Sequence, residues 1–70
     1  MEATKLKHSD RQAVRRVAHQ QAHLIGRRIY EAAVLELERK TVDVGLPHAL
    51  QPAAVEAAVE RALRHVVDTL

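Results

Sequence analysis

Residues 9–40, SDRQAVRRVAHQQAHLIGRRIYEAAVLELERK, decide the architecture of this 70-residue chain. Between Asp10 and Lys40 there is no proline and one glycine, Gly26. On a helical wheel Val14, Val17, Ala18, Ala22, Leu24, Ile25, Ile29, Ala32, Ala33 and Leu35 share one broad apolar face, with Arg16, Gln20, Arg27, Glu31 and Glu38 opposite. Ser9 and Gln12 have the spacing of a capping box, in which each side chain satisfies the other's free backbone amide. Asp10 suits the positive end of the helix dipole, and Arg39 with Lys40 suit the negative end. The pattern predicts one helix over 10–40, roughly 45 Å long.

Downstream, Thr41-Val42-Asp43-Val44-Gly45 alternates β-branched and polar residues, a run that favours extended backbone. Leu46-Pro47 and Gln51-Pro52 each place a residue before proline, which disfavours helix. Residues 41–51 are therefore expected to be a connection with at most one helical turn at 47–50, and with Leu46 and Leu50 folded back as a plug. Pro52 fits the first position of a second helix. In it Val55, Val59, Ala62, Val66 and Leu70 recur at helical spacing, and Glu60 and Arg64 stand four apart as an ion pair. That helix is expected over 52–69, about 27 Å. The fold class is all-α: a helical hairpin over 9–70, preceded by a basic tail at 1–8.

The two predicted helices differ in length, so roughly 18 Å of the longer apolar stripe has no cover within the chain. The apolar content is itself weak for burial: 12 Ala and nine Val among 70 residues, no Phe, no Trp and no Cys. Small chains without disulfides or metals gain stability by oligomerising or by very regular packing. The simplest closure is a two-fold homodimer, two hairpins forming a four-helix bundle. A different protein could cover the same surface. The residues expected at that interface are Val14, Val17, Ala18, Ala22, Ile25, Gly26, Ile29, Tyr30, Val59, Leu63 and Val66. Ala18, Ala22 and Gly26 descend one side of the helix at four-residue spacing, as at a close helix crossing.

Chemistry is sparse. Ser9 reads as a cap, the two glycines are isolated, and Glu31, Glu36, Glu38, Glu56 and Glu60 have the spacing of solvated charge pairs. No catalytic constellation emerges, and neither cofactor nor small-molecule substrate is expected. His19 and His23 stand four apart, as metal-binding pairs do, but the intervening Gln-Gln-Ala lacks the Glu of a zinc-protease motif. They are a weak metal candidate and more readily two solvated histidines. No apolar run approaches a membrane span, and MEATKLKHSDRQ has no apolar signal core, so a cytoplasmic protein is expected.

The formal charge of +2 hides an asymmetry. Residues 1–40 hold nine Lys and Arg against five Asp and Glu, and residues 41–70 hold two against four. Arg16, Gln20, His23 and Arg27 form one ridge that could track phosphates, with Arg11 and Arg15 pointing away from it. Possible nucleic-acid contacts are Lys5, Lys7, Arg11, Arg16, Arg27, Arg39 and Lys40. Arg39-Lys40-Thr41-Val42 at the end of a long helix resembles the end of the central helix and the second loop of histone-fold proteins. In that family the basic and Thr residues of this loop touch DNA phosphates, so the resemblance implies phosphate contacts at Arg39 and Lys40. The chain departs from the family in lacking a short first helix and in a final helix that is longer and begins later. The functional expectation is a small non-enzymatic protein-interaction or regulatory module, with DNA binding as the alternative.

Overall fold

The computed structural model describes residues 6–23 and 25–69, and among these every regular element is helical. Lys5, Leu24 and Leu70, each given a role above, lie outside the described residues, as does most of the predicted tail. The helices are α1 (His8–Ala22), α2 (Arg27–Val44), α3 (Leu46–Ala49) and α4 (Pro52–Asp68).

The predicted 10–40 helix is two helices. Gly26 stands between them at φ 147° and ψ 160°, a conformation closed to side-chain-bearing residues and incompatible with a helix. The last turn of α1 tightens ahead of it: the amides of Ile25 and Gly26 both donate to the Ala22 carbonyl, at 3.0 and 3.2 Å. The Gly26 carbonyl then accepts from Tyr30 at 3.0 Å and starts α2. Helical periodicity continues in phase across the break, so the wheel reads as uninterrupted. Bending lets the apolar face of α1 meet that of α2, which the straight rod would have left in water. The geometric mismatch inferred from a straight helix is thereby removed.

α2 is the central element and packs against all three others. Its Ile29, Ala33, Val34 and Leu37 are buried, and they meet Val14, Ala18 and Ala22 of α1 and Val55, Ala58 and Ala62 of α4. Alanines supply about half of this core, which allows close helix approach at the cost of little buried area per residue. A 15-residue helix such as α1 is marginal in isolation, so its packing against α2 and α4 holds it. Leu35, predicted on the inner face, is 67% exposed, because bending at Gly26 re-centres the buried arc of α2 on Ala33 and Leu37.

Two predicted termini also move. α1 starts after Lys7, with no side-chain capping bond, so Ser9 lies inside the helix and the capping box does not form. α2 runs on through Thr41 and Val42 to Val44, where an extended connection was expected. The Thr41 hydroxyl, buried, donates to the Leu37 carbonyl at 2.7 Å, so the polar group is satisfied without leaving the helix. Gly45 stops the helix, at φ 92°. α3 supplies the single turn, and Leu46 and Leu50 pack half-buried against the core. α4 begins at Pro52 as predicted, with the Val55 amide on the Gln51 carbonyl at 2.9 Å.

The short α3 corner sends α4 back along α2. Arg61 meets Glu36 at 3.9 Å, while nearer the corner Lys40 and Val44 share a groove with Ala54 and Ala57. Among the described residues Glu60 and Arg64 do not pair. No helix of the described residues is long and apolar enough to cross a membrane.

Candidate binding surfaces

The residues expected to hold two chains together divide into three groups. Val14, Ala18, Ala22 and Ile29 belong to the chain's own core. Val17, Tyr30, Val59 and Val66 are half-buried at its edge. Ile25 and Leu63 are exposed, at 49% and 41%. Gly26 is the hinge of the elbow rather than a point of close crossing: a Cβ built there meets no atom within 4 Å. Its conformation, and not a neighbour, demands glycine.

On α4 the apolar face is wider than the core needs. Leu63 and Val67, one turn apart and the latter 57% exposed, stand outside Val59 and Val66. The groove beside them is lined by Gln21 from α1 and by Glu56, Val59, Glu60 and Leu63 from α4. Val67 flanks the predicted stripe of this helix, as Leu63 does, but was not among the residues expected at the interface.

The histidine pair lies at the elbow. The His19 and His23 rings stack with centroids 4.9 Å apart and planes 18° apart. His23 Nδ1 donates to the His19 carbonyl at 2.8 Å, and the His23 amide donates to that same carbonyl at 3.0 Å. A carbonyl only accepts, so Nδ1 carries a proton in this arrangement. The ring therefore gives a carbonyl in the last turn of α1 a second donor beside its helical amide. His19 also meets Tyr30 of α2 edge-on, at 6.2 Å between centroids. Among the described residues no group of three His, Asp or Glu side chains comes together as a metal site.

The chain matches no protein-family model, and neither the curated proteins nor the solved structures contain a significant match.

The basic residues are rearranged by the elbow. Arg27 belongs to α2, beyond Gly26, and pairs with Glu31 at 3.5 Å, so the proposed Arg16-Gln20-His23-Arg27 ridge does not continue through it. Arg11, Arg15 and Arg16 are all exposed to solvent. Arg15, left off the ridge in sequence reading, lines the α1–α2 groove with Tyr30, Val34, Leu35 and Glu38. Arg39 and Lys40 are exposed within α2 and not at a loop. The histone-like loop that Arg39-Lys40-Thr41-Val42 resembles is absent, since these four residues are helical and Thr41 is buried.

Proposed function

We propose that this chain is a small non-enzymatic interaction module that self-associates along the outer edge of α4. The observation that carries this reading is the row formed by Val59, Leu63, Val66 and Val67. Single exposed aliphatics are ordinary on protein surfaces, but adjacent ones along a helix form a strip that association removes from water. A two-fold partner presents the same strip, so the surface is self-complementary in kind. This places the contact between α4 helices of two bent three-helix units. It replaces a bundle made from two straight hairpins, because α1 and α2 already cover one another.

Sedimentation across the micromolar range tests the proposal. The wild-type chain is expected to move from 7.8 kDa towards twice that mass as concentration rises. Leu63→Asp combined with Val67→Asp is expected to hold it at 7.8 kDa with helicity unchanged. A wild-type chain that stays monomeric throughout, or a double variant that associates as well as wild type, overturns the reading.

A further inference from the structure

Charge is partitioned among the three long helices. α2 carries four basic and four acidic residues, and α4 carries two basic against three acidic. α1 carries Arg11, Arg15 and Arg16 against Asp10 alone, and Asp10 is half-buried. Lys7 extends the basic set by one turn. Every exposed position from Lys7 to His23 is cationic, imidazole, amide or hydroxyl, with no carboxylate. Among the described residues none of the three arginines forms an ion pair, although Arg15 shares its groove with Glu31 and Glu38. Glu31 is already held by Arg27.

We infer that the exposed arc of α1, with Lys7, Arg11 and Arg15 along one margin and Arg16 along the other, binds the phosphate backbone of duplex nucleic acid. Guanidinium groups suit phosphate oxygens in charge and in donor geometry. α1 with its flanking Lys7 and His23 spans about 24 Å, enough to cross a major groove of about 12 Å and reach phosphates on both sides. Exposed Gln12 and Gln20 add amides that both donate and accept, as groove edges require.

The same face is ill suited to other anionic partners. A helix that lies in a membrane interface embeds an apolar side, and that side of α1, Val14, Ala18 and Ala22, is spent in the core. Binders of single strands stack bases on exposed aromatic rings, whereas Tyr30 is half-buried and the His19 and His23 rings stack on each other. This inference is independent of self-association, because it uses α1 and leaves the outer edge of α4 free.

The test is anisotropy of a labelled DNA duplex titrated with the full chain at salt concentrations from about 50 to 200 mM. Four cations against phosphates give a slope of log K on log salt of about −3 to −4. Arg11→Gln with Arg15→Gln and Arg16→Gln is expected to weaken binding at least tenfold and to bring the slope near −1. Lysine at the same three positions is expected to keep most of the binding, and Arg61→Gln with Arg64→Gln on α4 to leave it unchanged. Far-UV circular dichroism of each variant checks that α1 still folds. A flat salt dependence, a glutamine triple variant that binds like wild type, or equal loss in the α4 variant overturns the inference. So does equally tight binding to phosphatidylserine vesicles or to polyglutamate.

Discussion

His19 of α1 stands edge-on to Tyr30 of α2, ring centroids 6.2 Å apart and planes at 84°, directly across the elbow made by Gly26. The contact ties the last turn of α1 to the first turn of α2, and His23 stacks on His19. The three rings lie on either side of Gly26, where α1 turns into α2. Aromatic pairs of this geometry contribute roughly 0.5–1.5 kcal/mol beyond burial, less here because both histidines are exposed. The stack therefore holds the bend in place, and the bend itself comes from Gly26.

Gly26→Ala is accordingly expected to destabilise the fold although there is room for the methyl group. Forcing an L-residue to φ 147° costs about 1–3 kcal/mol, which lowers the melting temperature of a domain this size by roughly 5–20 °C. Thermal unfolding followed by circular dichroism measures it. An unchanged melting temperature would show that the chain does not need the bend.

Leu35 and Leu37 separate the straight-rod reading from the bent one. Leu37 is fully buried, one of the two largest side chains so placed, while Leu35 points into solvent. Leu37→Ala is expected to cost about 2–5 kcal/mol, a large share of what so small a domain has. Leu35→Ala is expected within about 0.5 kcal/mol of wild type, as for other surface positions. Equal losses in chemical denaturation would place the core elsewhere.

Much of the fold is legible in the sequence, and the misreadings have physical causes. Helix content, the Pro52 start and the inward positions Val14, Ala18, Ala22, Ile29, Ala33, Val55 and Ala62 all follow from spacing, because burial at one face imposes helical periodicity whatever the topology. The elbow does not follow from spacing. Positions on both sides of Gly26 stay in phase, and a glycine within a helical pattern costs only about 1 kcal/mol there. The clue available was length, since a 31-residue helix far exceeds the usual 11 or 12 in a globular domain. The stop comes at Gly45, and not at Thr41, because Gly45 takes the positive φ that ends the helix while the buried Thr41 hydroxyl is accommodated on a carbonyl inside it, which propensity alone does not contain. Of the candidate surfaces, the α4 edge is half legible through Val59, Leu63 and Val66. The basic face of α1 was obscured because a straight helix carried the ridge on to Arg27.

Thr41 gives a test of how that helical extension is held. Its hydroxyl bonds a carbonyl that also has a backbone partner in the helix, so removing it orphans nothing. Thr41→Val is expected to stay within about 1 kcal/mol of wild type. Thr41→Asp buries an unpaired carboxylate and is expected to cost several times more. Urea midpoints of the two variants make the comparison. A Thr41→Val loss as large as that of Thr41→Asp would mean that the hydroxyl bond itself is what keeps α2 helical to Val44.

Ile25 and Ile29, neighbours on the wheel of a straight helix, are expected to respond oppositely to a charge. Ile29 is 6% exposed and packs in the core, whereas Ile25 sits in the turn at 49%. Ile29→Asp puts an unpaired carboxylate among aliphatics and is expected to unfold the chain outright, since the penalty approaches the whole stability of a domain this small. Ile25→Asp is expected to retain native helicity and lose no more than about 1 kcal/mol. Its effect on association distinguishes two extents of the sticky surface. If Ile25→Asp leaves the sedimentation profile of wild type intact while Leu63→Asp does not, the contact between copies is confined to α4. If Ile25→Asp dissociates the copies as effectively as Leu63→Asp, the contact reaches the elbow, and the restriction to α4 fails.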